Sequence, residues 1–472
     1  MRLPIRKCTT TCHVNSVTLS SASDALKTMT VSGEADLVVD GLADVSKLES
    51  IDGSAAKGDL ALGTLNDATL NVTTGSGDDT FVLGNTATHA VTVSTGEGDD
   101  EVTLGAALAK GSSIDLGAGD DVLKLESAQL NKDATVNGGE GTDALVFTNG
   151  ATFTSANAGL NAVKGFEVLG VEGATLTVDS SLVNFDDFLV SAAGSITMTN
   201  AQDNDTVTFE AGVSTNNNIT MAARNTVLDL NLAVANVSAT VGGATTLNIS
   251  ASGLLEEKAS ALTTDNNVLN LTGDNAKLNL TGDQDLTLTL TDDTKGFTVD
   301  ATGFEAKLDV TGSDSQDTIK LGAEGGTVTA SKGHDQITFG AGADAFVAST
   351  AAGTNAADMS TIAGFTSGTD KILTAANAST AGTTTNVHIT STAVANANVD
   401  ILAALTTALD AGKDNLLINN AYVVELTGEL AGTYVVLESG NDGTTVDDND
   451  TVIKLAGVHA ADIAVGDILF NN

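Results

Sequence analysis

The sequence predicts an all-β chain built as a parallel β-solenoid (a β-roll or β-helix) that ends in a small α+β C-terminal cap. Three observations predict it. First, four segments rich in glycine and aspartate recur in register: TGSGDDTFV at 74–82, TGEGDDEVT at 95–103, LGAGDDVLK at 116–124 and GGEGTDALV at 138–146. Their leading glycines, Gly75, Gly96, Gly117 and Gly139, are 21, 21 and 22 residues apart, and a fixed period of this length marks stacked repeats. Second, of 472 residues 42% are hydrophobic but only 3% aromatic, with no Trp. The chain is too apolar for a disordered acidic tail and too poor in rings for one thick core. Third, a single proline suits an array whose strands have neighbours on both sides, because Pro would delete ladder hydrogen bonds.

Within one period each loop leads into an alternating stretch, such as Thr80 to Leu83, and a second such stretch follows midway, as at 90–93. One period therefore reads as loop, strand, turn, strand, which is one solenoid coil.

Residues 1–30 are an N-terminal segment. Its start, MRLPIRKCTTTCHV, is basic but lacks an apolar h-region, so no Sec signal is expected there. Cys8, Cys12 and His13 form a small cluster that reads either as a weak metal motif or as a frayed terminus. Residues 31–150 form the first solenoid block; degenerate coils of the same kind are expected over 17–65, ahead of the four loops. In 151–310 the glycine loops thin out while short strands continue, at 174–178, 195–198, 268–271, 277–280 and 286–290; the last three start 9 residues apart. Residues 311–348 form a second block of shorter period, where TGSDSQDTI, ASKGHDQIT and FGAGADAFV set Asp317, Asp335 and Asp344 at offsets of 18 and 9. These offsets put Asp335 and Asp344 on opposite sides of the coil, so only Asp317 and Asp335 stack directly. Residues 349–472 form the cap, with a helix expected over 396–411 and strands at 421–424, 433–437 and 451–455.

Charge narrows the function. The net charge is −41, which disfavours nucleic acid and anionic membrane surfaces and points to cations as partners. No run approaches the roughly 18–20 apolar residues of a membrane span. The absence of Cys beyond residue 12 suits a protein that works outside a reducing cytosol without disulfides.

The loop chemistry follows from stacking. Adjacent coils lie about 4.8 Å apart, the strand spacing of a sheet, so loops at one phase stack as well. Asp79, Asp100, Asp121 and Asp143 then form one column, and Asp78, Asp99 and Asp120 add charge beside it. Two carboxylates about 5 Å apart repel by about 1 kcal/mol in water and about 3 kcal/mol at an effective dielectric of 20. A cation between loops removes that cost. Carboxylates and backbone carbonyls are hard oxygen ligands and select Ca²⁺, which accepts 6–8 of them in flexible geometry. Four stacked loops make three intervals, hence up to three sites in the first block.

These loops resemble the calcium-binding nonapeptide of the repeats-in-toxin family, G-G-x-G-x-D-x-U-x, with GGEGTDALV matching every defined position. The resemblance implies that Asp79, Asp100, Asp121, Asp143, Asp317, Asp335 and Asp344 ligate Ca²⁺. It also implies that Gly75, Gly77, Gly96, Gly98, Gly117, Gly119, Gly139 and Gly141 offer carbonyls. GFEVLGV at 165–171 looks like the connectors of bacterial surface-layer proteins of this type. GFTSGTDKI at 364–372 resembles the segment closing many such arrays, with Gly364 where Asp is usual, and TVDDNDTVIKLAGV at 445–458 looks like the tail of proteins exported by type I secretion. The expectation is a secreted, extracellular surface-layer protein that folds on Ca²⁺ after export. Its expected partners are Ca²⁺, the type I secretion machinery, further copies of itself in a surface array and, at the cell surface, polysaccharide.

An enzyme is not expected. The sequence has no H-E-x-x-H and no G-x-S-x-G, and His13, His89, His334, His388 and His459 are scattered. His334 reads as a solvated loop residue. The alternatives are a calcium-dependent adhesin that binds a surface or glycan, and a polysaccharide-acting enzyme on a β-helix.

Overall fold

A computed structural model of the protein describes residues 15–20, 23, 25–65, 71–84, 89–154, 160, 163–222, 227–252, 267–273, 276–292, 295–329, 331–348, 359–374, 387–396, 401–411, 420–437, 446 and 450–469. The Cys8, Cys12 and His13 cluster lies outside these residues. The chain divides into two compact units, Met1–Asn225 and Thr226–Asn472. Each is a parallel β-solenoid, as the repeat period predicts.

In the first unit the coils up to Lys164 lend one strand to each of two parallel stacks, and beyond them Ala151–Phe153, Thr175–Asp179 and Ser195–Ala201 form a further parallel stack. One sheet stacks, among others, Leu60–Leu65, Thr80–Leu83, Glu101–Leu104, Val122–Leu125, Ala144–Phe147, Val168–Glu172 and Asp187–Ser191. The other stacks Thr28–Gly33, Ser50–Ala56, Asn71–Thr73, Thr92–Ser94, Ser113–Ala118, Thr135–Glu140 and Val163–Lys164. Alternation sends every second side chain inward. The interior is a column of Phe81, Val102, Leu123 and Leu145 facing a column of Ile51, Val72, Val93, Ile114 and Val136, each at most 3% exposed. A core only two side chains thick needs one aliphatic residue per strand per coil. This explains a high apolar content with few rings.

In the second unit the strands Asn267–Thr272, Lys277–Gly282 and Leu286–Thr291 alternate between two faces: the first pairs with the third, and the second pairs with Thr298–Phe304. The 9-residue spacing read from the sequence is thus half a coil. The array continues through Thr318–Lys320, Gln336–Thr338 and Ser360–Ala363 on one face and Gly326–Thr329, Asp344–Ala348 and Lys371–Thr374 on the other.

The unit ends in mixed α and β structure. Gly432–Leu437 pairs antiparallel with both Ala421–Gly428 and Thr451–Ala456. The helix runs Ile401–Ala411, inside the predicted 396–411. Its Ala404, Leu405, Ala408 and Leu409 are buried in one cluster with Tyr422, Val424, Tyr434 and Val436. Buried Asp467 fixes the last segment: it accepts the Gly368 N–H at 2.9 Å and the Ser367 hydroxyl at 2.6 Å, and pairs with the Lys371 ammonium at 3.2 Å. Among the described residues no helix is long and apolar enough to cross a membrane.

Candidate metal centre

The loops that precede the strands of the first unit stack in register, Gly117 pairing with Gly139 and Ser113 with Thr135. Asp79, Asp100, Asp121 and Asp143 are all fully buried at one phase of the coil. Buried N–H groups must find acceptors, and these carboxylates supply them. The Asp79 N–H donates to Asp100 Oδ1 at 2.7 Å, the Asp100 N–H to Asp121 Oδ1 at 2.7 Å, and the Asp121 N–H to Asp143 Oδ1 at 2.9 Å. The column starts one coil earlier, where the Leu60 N–H donates to Asp79 Oδ1 at 2.7 Å.

A second, opposed ladder runs beside it. The Asp99 N–H donates to Asp78 Oδ1 at 3.0 Å, the Asp120 N–H to Asp99 Oδ1 at 2.9 Å and the Thr142 N–H to Asp120 Oδ1 at 2.8 Å. In the inner ladder each carboxylate caps the coil before it; in the outer ladder each caps the coil after it. The outer ladder also reaches into the degenerate coils, with the Asp78 N–H on Asp59 Oδ1 at 2.9 Å and the Asp59 N–H on Asp36 Oδ1 at 3.1 Å. Sequence reading passed over Asp36 and Asp59 because their loops lack the glycine pattern; their position just before an apolar strand, as in Lys57-Gly58-Asp59-Leu60, was the available signal.

Backbone capping explains one oxygen of each inner carboxylate. The other oxygen, Oδ2, is buried without a hydrogen-bond partner at Asp100, Asp121 and Asp143. The Thr95 hydroxyl adjoins Asp100, but its single proton is given to the Leu116 carbonyl. Asp79 differs: its Oδ2 takes the Gly75 N–H at 3.3 Å. Burial pushes these carboxyls up, Asp100 to about 8, Asp121 to about 7, and Asp79 and Asp143 to about 6. An ionised carboxylate with a bare buried oxygen is costly until a cation or proton reaches it.

The glycines let the loops stack closely, carbonyl against backbone, and two of those carbonyls are used between coils: the Gly75 carbonyl oxygen accepts the Glu97 N–H at 2.9 Å and that of Gly96 the Ala118 N–H at 2.8 Å. Gly96, Gly98, Gly117, Gly119, Gly139 and Gly141 have φ between 100° and 137°, which side chains rarely adopt. A Cβ would lie 2.1 Å from the Gly75 carbonyl oxygen at Gly96, 2.0 Å from that of Gly96 at Gly117, and 1.9 Å from that of Gly117 at Gly139. At Gly98 it would meet the Gly77 carbonyl oxygen at 2.4 Å, and at Gly119 and Gly141 those of Gly98 and Gly119 at 2.1 and 2.0 Å. Orphaned carboxylate oxygens in a column of closely stacked, glycine-rich loops, whose carbonyls keep a second lone pair, are hard oxygen donors of the kind Ca²⁺ takes. Among the described residues no group of three or more His, Cys, Asp or Glu side chains converges as a metal cluster. The donor set expected here has a different form, with one carboxylate per coil and the remaining ligands from backbone.

The second unit repeats the capping and, in part, the bare oxygens: Asp344 Oδ1 is buried without a hydrogen-bond partner, while its Oδ2 accepts the Gly340 N–H at 2.7 Å. The Phe297 N–H donates to Asp317 Oδ1 at 2.7 Å, and the Asp317 N–H to Asp335 Oδ1 at 2.9 Å, so Asp317 and Asp335 do stack directly. Asp317 is saturated, however: Ser313 gives its hydroxyl to Oδ1 at 2.9 Å and its N–H to Oδ2 at 2.7 Å. The serine stands where a glycine-rich loop would leave the carboxylate open. Asp344 lies in the other column, as expected, and its N–H donates to Asp370 Oδ1 at 3.0 Å. Asp370, inside GFTSGTDKI, is thus a ladder residue that sequence reading assigned to no role. His334 departs from the solvated reading. It is half-buried, and its Nδ1 lies 2.7 Å from the Met359 carbonyl oxygen.

No family model matches the chain, and no curated protein matches it.

Proposed function

We propose that this chain is a calcium-binding, secreted structural protein of the bacterial cell surface that folds on Ca²⁺ after type I export and assembles into a surface-layer array. The observation that carries the reading is the buried row of Asp100, Asp121 and Asp143 in stacked glycine-rich loops, each with one oxygen spent on backbone and the other bare. A row like this opposes its own stacking until cations enter it. Low Ca²⁺ inside the cell then keeps the chain exportable, and the millimolar Ca²⁺ outside folds it. The surface-array role rests on the resemblance of GFEVLGV and of the 445–458 tail, together with the absence of a nucleophile or metalloprotease motif from the sequence.

Electron microscopy of the purified protein tests the array. Regular two-dimensional sheets are expected in millimolar Ca²⁺, dispersing in chelator. Separate particles in both conditions would refute the array.

A further inference from the structure

The inner ladder goes one coil further than the glycine-rich loops do. Pairing of Ala144 with Val168 sets Glu167 beside Asp143. Glu167 Oε2 accepts the Asp143 N–H at 2.9 Å, just as Asp143 Oδ1 accepts the Asp121 N–H at 2.9 Å. Glu167, in the GFEVLGV connector, therefore takes the place of the next aspartate with a longer side chain.

The free oxygen of Asp143 faces this connector. Asp143 is fully buried and its Oδ2 has no hydrogen-bond partner. Its direction is fixed by Gly138, where a Cβ would fall 2.5 Å from Asp143 Oδ2 and 1.8 Å from the Gly165 carbonyl oxygen. A carboxylate oxygen and a carbonyl oxygen thus converge on one small volume, and neither can donate a hydrogen bond to the other. Two coils earlier the same phase of the loop holds Thr95, whose hydroxyl reaches the Leu116 carbonyl. Glycine at position 138 leaves no hydroxyl to bridge the two oxygens.

We propose that Gly165 and Glu167 complete a further calcium site with Asp143, in the interval between the last glycine-rich loop and the connector. The donors are Asp143 Oδ2 and the Gly165 carbonyl, and the Glu167 carboxylate supplies a second negative charge at the rim. Hard oxygens with two negative charges select a hard divalent cation. Counting motifs gives only the intervals between loops; this interval has a glycine loop on one side alone. The connector then does more than join repeats, since it closes the ion column where the aspartate loops stop. The inference rests on the calcium reading of the loops.

The test counts ions on the full-length chain. Equilibrium titration of wild type and Glu167→Gln with Ca²⁺ should show one fewer ion in the variant, or one ion weakened by about 10-fold or more, with the others unchanged. Glutamine keeps an acceptor for the Asp143 N–H, so a purely positioning role would leave the count intact. Terbium-soaked crystals of the wild type give a second measurement that does not depend on the variant folding: an anomalous peak is expected between Asp143 Oδ2 and the Gly165 carbonyl. Peaks between the loops but none at the connector, or an unchanged count in Glu167→Gln, overturn this site and leave the calcium reading of the loops standing. No bound ion anywhere on the wild type overturns both.

Discussion

Asp100→Ala is expected to raise the Ca²⁺ concentration at the midpoint of folding by about 10-fold or more, because ligand charge sets the affinity of such sites and binding is coupled to folding. Asp100 is the right position because it lies inside the ladder. Its Oδ1 holds the Asp79 N–H, its own N–H is held by Asp121, and its Oδ2 is bare. Alanine removes two things at once. It takes away a charged ligand, and it leaves the buried Asp79 N–H without an acceptor, a loss of about 1–3 kcal/mol even without Ca²⁺. Asp100→Asn separates them, since the amide oxygen still accepts that N–H while the charge is gone. Asn should therefore show most of the loss in Ca²⁺ affinity and little of the loss in calcium-independent stability. His334→Ala is the control. It gives up one hydrogen bond to the Met359 carbonyl in the second unit and should leave the midpoint within about 2-fold. Equal shifts for Asp100→Ala and His334→Ala would contradict the ladder, as would no shift for Asp100→Ala.

In calcium-free buffer, acidification should fold the first unit. Burial raises Asp100 to about 8, Asp121 to about 7, and Asp79 and Asp143 to about 6. An unfolded aspartate titrates near 3.9. Between these values the folded, cation-free chain holds more protons than the unfolded one. The stability linked to these protons is therefore complete below about pH 4 and is lost as pH rises through about 6 to 8. The β signal of chelated protein should be strong near pH 5 and weak near pH 8. General relief of the −41 charge comes from carboxylates of ordinary pKa and acts mainly below about pH 5, so the window above it belongs to the ladder. Asp100→Asn should flatten the pH dependence in that window. Calcium and protons compete for the same oxygens, so Ca²⁺ affinity should fall as pH falls. A chelated chain folded to the same extent at about pH 5 and pH 8 would contradict the buried-ladder geometry.

Much of this architecture is legible in the sequence because a solenoid repeats its local rules. The 21-residue period fixes which aspartates share a column, and Asp79, Asp100, Asp121 and Asp143 occupy one. Strict alternation, as in Thr80 to Leu83, fixes which side chains face inward. What the sequence does not carry is the direction of hydrogen bonds between coils. Asp78 and Asp79 are neighbours with the same side chain, yet one caps the coil after it and the other the coil before it. Neighbours across the stack are also hidden, because they lie about 20 residues away at a phase set by insertions. Glu167 reads as part of a connector until register puts it on Asp143, and Asp370 reads as part of a closing motif until it meets Asp344. Ser313 shows the reverse effect. Asp317 matches the expected ligand position, but the serine hydroxyl and N–H saturate its carboxylate, which spacing alone could not reveal.

Far-UV circular dichroism of the full-length chain at about pH 8, where the ladder carboxylates ionise when no cation is bound, tests the central claim most directly. In chelator the spectrum should carry little β signal. Millimolar Ca²⁺ should restore it cooperatively, and Mg²⁺ at the same concentration should not, because it demands near-octahedral geometry and dehydrates reluctantly. The same strong β spectrum in chelator and in Ca²⁺ would contradict the account.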